Sequence, residues 1–223
     1  MGEVDLHVHS TCSDGYRDPD HIVMECIERG VRVLSITDHW SIEGSRIARN
    51  HVEEMGLNDL IQIISGTEIT TSYNDDLVEF LIYELPLTDE INVRLDMMHK
   101  NLKLHPIDVL KFANERNAIA SLAHPRRSLS LEKCQKYIPI FKSWGLHAIE
   151  AIYHSHTEED VESMIALAVR NDLLISGGSD HHGLLFSLGE SYAHLDGIIG
   201  QTKQGPISME CLSILNKLNL EGE

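Results

Sequence analysis

Short apolar runs that end in a histidine or a carboxylate recur along this chain, and no other feature limits its fold as strongly. Such runs cover residues 33–36, 61–64, 118–122 and 173–176, and the side chains that follow them include His39, Glu68, His124, Asp180 and His182. Each run has the length and apolar character of a strand buried in a sheet. Folds that alternate strands with helices place their functional side chains at the carboxyl ends of the strands. The pattern therefore predicts an α/β fold with one site at that edge.

The first predicted strand carries two histidines in an H-x-H pattern. Side chains alternate faces along a strand, so His7 and His9 point the same way and can hold one divalent ion between them. Imidazole nitrogen suits zinc, iron and manganese, and Asp14 in the following turn offers a harder oxygen ligand. Taken alone, the pattern fits a pair of surface histidines equally well. The other clusters favour a metal site, because 14 histidines scattered at random would not gather repeatedly at strand ends.

Helix signals separate the predicted strands. Asp18 and Pro19 form a helix start with a carboxylate cap and a proline in the first turn, and Gly30 marks the helix end. Further helices are predicted at residues 43–55, 88–101, 106–116, 130–144, 157–171 and 208–218, and further strands at residues 77–83 and 146–153. This alternation predicts a mostly parallel sheet. Because no linker or repeat interrupts it, residues 1–223 are expected to form a single domain.

Five motifs with metal-capable residues follow one another along the chain. They are His7-Val8-His9 with Ser13-Asp14-Gly15, Thr37-Asp38-His39, Gly66-Thr67-Glu68, Ala123-His124-Pro125 and Gly178-Ser179-Asp180-His181-His182-Gly183. Together they resemble the motifs of the PHP (polymerase and histidinol phosphatase) metal-dependent phosphoesterases, over residues 4 to about 190. The resemblance implies a distorted (β/α)7 barrel. It also implies two or three divalent ions, manganese, iron or zinc, at the carboxyl ends of the strands.

The same resemblance implies a role for each metal-capable residue. The first metal is expected to be held by His7, His9, Glu68 and Asp180, and the second by Asp14, His39 and His182. A third metal in this family uses the glutamate, His124 and a histidine on the next strand, where this chain has Glu79. Since glutamate can ligate a metal, Glu79 is either an oxygen ligand or a solvent-facing strand residue. His181 is expected to face away from the metals.

Residues beside the metals are expected to handle the phosphate. Asp180 is expected to be essential for turnover. Arg126 and Arg127 directly follow the fourth motif, and at least one guanidinium can clamp a phosphate there, although the sequence does not decide which. His156 ends another strand and is expected to contact the phosphate, a metal or the leaving oxygen. His154 takes that place if the register differs by two residues.

The charge balance narrows the substrate. The chain has 18 lysines and arginines against 35 aspartates and glutamates, a formal charge of −17. Such a field repels a long polyanion, so long nucleic acid is a weaker candidate than a small phosphorylated metabolite or nucleotide.

These observations predict a metal-dependent phosphomonoesterase for substrates of the nucleotide or histidinol phosphate type, in which the ions activate water to hydroxide. One alternative is a phosphodiesterase or short-oligonucleotide exonuclease, and another is a metal-binding module without turnover. Amide hydrolysis on a related barrel is less favoured, because those barrels usually employ a strand-end lysine and no motif here contains one.

Two absences bear on the cellular setting. No apolar run approaches the roughly 20 residues of a membrane span. The four cysteines, Cys12, Cys26, Cys134 and Cys211, form no C-x-x-C pair, so they are expected to be reduced thiols. A cytoplasmic protein without membrane contact is therefore predicted, and its oligomeric state stays open.

Overall fold

Seven strands form one sheet that curls into a nearly closed barrel. The computed structural model describes residues 2–101, 104–183 and 197–218. The order of strands in the sheet follows their order in the sequence. The strands are β1 (Val4–Val8), β2 (Val33–Ile36), β3 (Gln62–Tyr73), β4 (Asp76–Tyr83), β5 (Ile119–Leu122), β6 (Ala148–Tyr153) and β7 (Leu174–Gly178).

Helices connect most of these strands, close to the predicted positions. In the described ranges they are α1 (Pro19–Glu28), α2 (Glu43–Met55), α3 (Asp89–His99), α4 (Pro106–Asn114), α5 (Pro125–Ser128), α6 (Leu131–Ser143) and α7 (Glu158–Arg170). The largest apolar cluster lies between them and the sheet and includes Phe80, Leu95, Ile138 and Leu167. Each such side chain contributes about 1.5–3 kcal/mol through its burial. No described helix is long and apolar enough to cross a membrane.

The predicted alternation of strands and helices fails at one place. β3 does not end before Glu68 but continues to Tyr73, returns directly as β4, and β4 pairs antiparallel with both β3 and β5. The other neighbouring strands pair in parallel. The reason is local, because Asn74 and Asp75 both adopt positive φ (51° and 67°), as a tight hairpin turn requires. Glu68 therefore lies inside a strand and not at a strand end.

The helix predicted for residues 208–218 is wrong. The segment forms two short 3-10 turns, Met209–Cys211 and Ser213–Asn216, after a small ribbon of β8 (Gln201–Thr202) and β9 (Gly205–Pro206). Its apolar side chains, among them Ile207, Ile214 and Leu215, pack against Val4 and Leu81. These contacts close the end of the barrel opposite the carboxyl ends of the parallel strands, and their spacing does not follow a helical face.

The barrel closes where β1 meets the end of β7. The backbone N–H of His9 donates to the carbonyl of His181 at 2.9 Å, and the N–H of Asp180 donates to the carbonyl of His7 at 2.7 Å. Gly178 permits this approach, because a Cβ atom there would lie 2.3 Å from Cβ of His7. The strands that carry the first and last candidate ligands are therefore in direct contact.

The side chain of Asp5 stabilises this junction of β1 and β7 from inside the barrel. Its fully buried carboxylate accepts backbone hydrogen bonds from Ser179 at 2.9 Å, Gly200 at 2.8 Å and His7 at 3.3 Å. One side chain of β1 thus holds its own strand, the segment leading to Asp180 and the segment from residue 197 onward.

Replacing this carboxylate by an amide is expected to destabilise the fold. In Asp5→Asn one acceptor becomes a donor that faces a buried N–H, so the free energy of unfolding should fall by about 1–3 kcal/mol. Asp96→Asn removes an exposed pairing with Lys100 on α3 and should cost less than about 0.5 kcal/mol. Urea unfolding monitored by circular dichroism measures both variants, and equal midpoints would contradict the role given to Asp5.

Candidate metal centre

Strand ends deliver histidines and carboxylates to one end of the barrel. His7 lies in β1 and His9 one residue beyond it, His39 follows β2, and His124 and Asp180 follow β5 and β7. Glu68 reaches the same place from the middle of β3. These six side chains come from five strands, so the fold itself gathers them.

The tightest group consists of the four residues expected to hold the first metal. Nε2 of His7 and Nε2 of His9 lie 3.1 Å apart. Oε2 of Glu68 lies 3.3 Å from the first nitrogen and 3.2 Å from the second, and Oδ1 of Asp180 lies 3.2 Å from each. All four side chains are buried, the most exposed by 4%.

This spacing fits a tetrahedral divalent ion. Zinc ligands at about 2.0–2.1 Å from the ion are about 3.3 Å from one another, close to the five separations given above. Oδ1 of Asp180 is buried and accepts no hydrogen bond within the described residues, although two imidazole nitrogens are near it. Each of the two imidazole nitrogens thus lies within 3.3 Å of the other nitrogen and of both carboxylate oxygens, around a common point.

The residues expected to hold the second metal form a more open group. Oδ2 of Asp14 lies 3.7 Å from Nε2 of His39 and 3.5 Å from Nε2 of His182. Nε2 of His39 is also 3.6 Å from Oε2 of Glu68, the oxygen that faces the first group. The side chain of Asp14 is 54% exposed, so this group lies at the mouth.

The third group contains Glu79. Nε2 of His124 lies 2.9 Å from Oε1 of Glu68 and 3.7 Å from Oε2 of Glu79. The other oxygen of Glu79 accepts a hydrogen bond from the hydroxyl of Thr70 at 2.9 Å. Glu79 therefore lies beside the cluster and not out in solvent. Glu68 contributes one oxygen to the first two groups and the other oxygen to the third.

When no cation is bound, the electrostatics keep Glu68 and Asp180 charged and favour protonation of His7 and His9, whereas burial lowers the pKa of the more exposed His39. Burial by itself lowers the pKa of His9, but Asp180 and Glu68 raise it to about 10. Burial likewise opposes protonation of His7, yet Glu150, Asp180 and Glu68 hold its pKa well above the usual value. Burial favours neutral Glu68 and Asp180, but the surrounding histidines lower both pKa values well below the ordinary range. The carboxylates of the cluster thus stabilise positive charge at its centre.

Two candidate ligands have strained backbones. His124 and Asp180 adopt φ angles of 22° and 54°, which non-glycine residues rarely do. Such conformations cost about 1–3 kcal/mol each and persist only when the surroundings enforce them. Here the N–H of Asp180 donates to the backbone carbonyl of His7, and the N–H of His124 donates to Oε2 of Glu150 at 2.7 Å.

The outer oxygen of Asp180 is held by two further residues. The hydroxyl of Tyr153 donates to Oδ2 at 2.8 Å, and Nη1 of Arg127 donates to the same atom at 3.2 Å. The Arg127 side chain is 55% exposed, so the rest of its guanidinium faces the mouth. Tyr153 and Arg127 thereby turn Oδ1 of Asp180 toward the histidines.

Arg126 does not join the cluster. Its Nε donates to Oδ1 of Asp160 at 2.8 Å, in the first turn of α7. Consecutive helical residues point about 100° apart, so α5 turns only Arg127 toward Asp180. The sequence left the two arginines undecided, and the structure separates them.

The histidines after β6 and β7 occupy different environments. His156 is 2% exposed, and its Nδ1 lies 3.0 Å from the carbonyl of Ala151. His154 is partly exposed, with its ring centroid 4.5 Å from that of Tyr153. Nδ1 of His181 lies 2.7 Å from the carbonyl of Gly197. His194 lies outside the described residues.

Several supporting residues were not recognised in the sequence. Buried Asp38 accepts hydrogen bonds from the N–H and hydroxyl of Ser10 and from the hydroxyl of Ser13, each at 2.7 Å, and so shapes the turn that carries Asp14. Glu150 and Tyr153 face the cluster from β6. The signal for Glu150 was a carboxylate inside an otherwise apolar strand, which requires a partner when buried.

Comparison with known proteins supports a family relationship. A family model described as PHP domain matches residues 5–205. The chain is 41% identical over 69 residues to a 5'-3' exoribonuclease of Haemophilus influenzae, covering 31% of this chain and 24% of that protein. It is 23% identical, over an alignment 253 positions long, to a phosphoribosyl 1,2-cyclic phosphate 1,2-diphosphodiesterase of Eggerthella lenta. That alignment covers 80% of this chain and 94% of that protein. The chain thus spans about a quarter of the length of the exoribonuclease.

Solved structures share the fold. An amidohydrolase from Chromobacterium violaceum superposes with a TM-score of 0.79 at 18% identity, covering 97% of this chain and 95% of that one. A putative metal-dependent phosphoesterase from Bifidobacterium adolescentis gives a TM-score of 0.76 at 18% identity, covering 100% and 99%. At this identity the likeness concerns the barrel alone.

Uptake of a divalent cation by this cluster is expected to release protons. His9, with a pKa of about 10, carries a proton at pH 7.5, whereas a ligating imidazole must give up the proton on its ligating nitrogen. Lowering the pH below 7.5 should therefore weaken the binding of Mn²⁺. Isothermal titration of Mn²⁺ in buffers of different ionisation enthalpy should give buffer-dependent heats. His9→Gln should reduce that dependence, whereas His21→Gln in the exposed Asp18, Asp20 and His21 group should not. Identical heats in every buffer would contradict this assignment.

Proposed function

The chain belongs to the PHP domain family, and we propose that it is a metal-dependent phosphoesterase that hydrolyses small phosphate esters. One observation carries the proposal. Oε2 of Glu68 faces His7, His9 and His39, and its Oε1 faces His124, so three groups of ligands share this carboxylate at the open end of the barrel. Clusters of two or more divalent ions in one site are typical of enzymes that cleave phosphate esters.

The residues fit divalent ions of the manganese, iron and zinc class. The first group offers two imidazoles and two carboxylates, the second Asp14, His39 and His182, and the third adds His124 and Glu79. Carboxylate oxygens in the third group suit manganese better than zinc. When bound, the ions neutralise phosphate charge and lower the pKa of water, so that hydroxide is available near neutral pH.

Arg127 is proposed to orient the phosphate. Its guanidinium lies at the mouth, donates one hydrogen bond to Asp180 and presents its other N–H groups to the opening. A planar guanidinium can bind two phosphate oxygens at once and thereby fix the position of the phosphorus atom. Because Arg126 is held by Asp160, the role is assigned to Arg127 and not to Arg126.

A histidine after β6 is proposed to protonate the leaving oxygen. Sequence reasoning favoured His156, yet a substrate can reach the partly exposed ring of His154 more easily than the buried ring of His156. Burial lowers the pKa of His154, which the charges of Asp180 and Glu150 oppose. We assign proton donation to His154 because its ring is the more accessible of the two, whereas the ring of His156 packs against Tyr153 with the ring centroids 5.0 Å apart.

Phosphomonoesters of the nucleotide or histidinol phosphate type are the first substrates to test. Diester cleavage is a second candidate, because relatives of this chain are named as exoribonucleases and as a cyclic phosphate diphosphodiesterase. The position of Arg126 also favours diester cleavage. A terminal phosphate carries two negative charges and a bridging phosphate one, and of the adjacent Arg126 and Arg127 only Arg127 bonds a residue of the cluster.

Phosphate release tests the proposed function directly. The purified protein with Mn²⁺ is incubated with AMP, a nucleoside 3′,5′-bisphosphate, histidinol phosphate and p-nitrophenyl phosphate, and bis(p-nitrophenyl) phosphate reports diester cleavage. Asp180→Asn should lower turnover at least about 100-fold, which corresponds to a loss of about 2.7 kcal/mol of transition-state stabilisation. Asp172→Asn, an exposed site at the opposite end of β7 whose positive φ suits asparagine, is the matched control and should retain activity.

The outcomes separate the candidate functions. Release from a monoester that Asp180→Asn abolishes supports the phosphomonoesterase, and cleavage confined to the diester supports the second candidate. A protein that binds Mn²⁺ but cleaves none of these substrates would instead be a metal-binding module.

The two adjacent arginines provide a matched pair of variants. Arg127→Ala should lower kcat/KM by about 10–100-fold, because the variant loses a charge-assisted hydrogen bond to the phosphate. Arg126→Ala removes the bond to Asp160 and should leave kcat/KM within about threefold of the wild type, since the hydrogen bonds of Arg126 go to Asp160 and to the carbonyl of Leu129 and not to Asp180. Steady-state kinetics on the best substrate measure both. A larger loss in Arg126→Ala than in Arg127→Ala would refute the assignment.

A further inference from the structure

Glu150 is a fully buried carboxylate in the middle of β6 and belongs to none of the three ligand groups proposed above. Its Oε1 lies 2.9 Å from Nδ1 of His7. Its Oε2 accepts the backbone N–H of His124 at 2.7 Å. A buried carboxylate is costly unless both oxygens are satisfied, and here each oxygen holds a different candidate ligand.

These contacts complete a closed ring of four residues. Nδ1 of His7 meets Glu150, the N–H of His124 donates to Glu150, Nε2 of His124 lies 2.9 Å from Oε1 of Glu68, and Oε2 of Glu68 lies 3.3 Å from Nε2 of His7. Glu150 contacts Nδ1 of His7 and the backbone N–H of His124, whereas Glu68 contacts Nε2 of both imidazoles. The ring joins the first group to the third.

We propose that Glu150 is a positioning residue that holds His7 and His124 in the orientations that bind divalent cations. The inference rests on the proposed metal centre but not on turnover. When Nδ1–H of His7 donates to Glu150, the lone pair of Nε2 is directed at the point shared with His9, Glu68 and Asp180. The bond to the N–H of His124 stabilises the strained backbone that turns this imidazole toward Glu68.

The chemistry requires a carboxylate at this position. Both partners, Nδ1–H of His7 and N–H of His124, are donors, so residue 150 must supply two acceptors. Glutamine has nearly the same shape but only one acceptor oxygen. Glu150→Gln therefore leaves one buried donor facing an amide N–H, without creating a cavity.

Mn²⁺ binding to the metal-free full chain tests the proposal. Isothermal titration should show the tightest class of sites weakened about 10–100-fold in Glu150→Gln, the usual effect of removing a partner behind a metal-ligating histidine. Ser121→Ala is the matched control. It removes a buried bond of 2.7 Å to the hydroxyl of Ser176 inside the same barrel without touching a candidate ligand, and its Mn²⁺ affinity should stay within twofold of the wild type.

Two results would overturn the proposal. One is an unchanged Mn²⁺ affinity in folded Glu150→Gln. The other is an equal loss in Ser121→Ala, which would show that any loosening of the barrel weakens the site. If Glu150→Gln does not fold, Glu150→Asp keeps both acceptors but withdraws them by one methylene. A tenfold weaker affinity in folded Glu150→Asp supports the proposal, and unchanged affinity overturns it.

The test is independent of catalysis. A protein in which Glu150 governs Mn²⁺ affinity but which cleaves no phosphate ester keeps this inference and loses the proposed function. A protein that cleaves phosphate esters while Glu150→Gln binds Mn²⁺ normally keeps the function and loses the inference.

Discussion

The shared carboxylate of Glu68 is the constraint around which the open end of the barrel is organised. A charge buried this deeply is tolerated only when it is paired on every side. His7 and His9 meet one of its oxygens and His124 meets the other, and these residues come from different strands. The strands that contribute them must therefore converge within a few ångströms.

Buried acids behind the ligands form a second layer with one common function. Asp5 fixes the segment that leads to Asp180, Asp38 fixes the turn that carries Asp14, and Glu150 fixes His7 and His124. Asp5 and Glu150 lie in strands and Asp38 follows one directly, and each of these acids accepts hydrogen bonds from donors of another segment. Part of the acidity of the chain therefore belongs to the architecture of the site. Divalent cations held by the cluster would offset part of the formal charge of −17.

The sequence predicted most strands and helices because their patterns are local. The apolar run 33–36 coincides with β2, and the predicted helix 43–55 coincides with α2, which ends before Gly56 in the left-handed conformation. Features that depend on distant contacts could not be predicted. The tail after Ser208 follows the shape of the barrel end instead of a helical period, and the orientation of Arg126 depends on Asp160, 34 residues away. Glu150 looked like an isolated polar residue because both of its partners belong to other strands.

Exposure changes steadily across the site, and this gradient orders the roles of its residues. His7 and His9 are inaccessible, His39 and His182 are partly exposed, and Asp14 and Arg127 are mostly exposed. A group that must stay fixed benefits from burial, whereas a group that meets a substrate must be reachable. The first group is therefore suited to permanent occupation, and the second group together with Arg127 forms the face that a phosphate meets first. Asp180 connects the two, since its inner oxygen faces His7 and His9 while its outer oxygen bonds Arg127. A phosphate that draws Arg127 away would leave Tyr153 to hold that outer oxygen, so the first group can keep its geometry while the mouth rearranges.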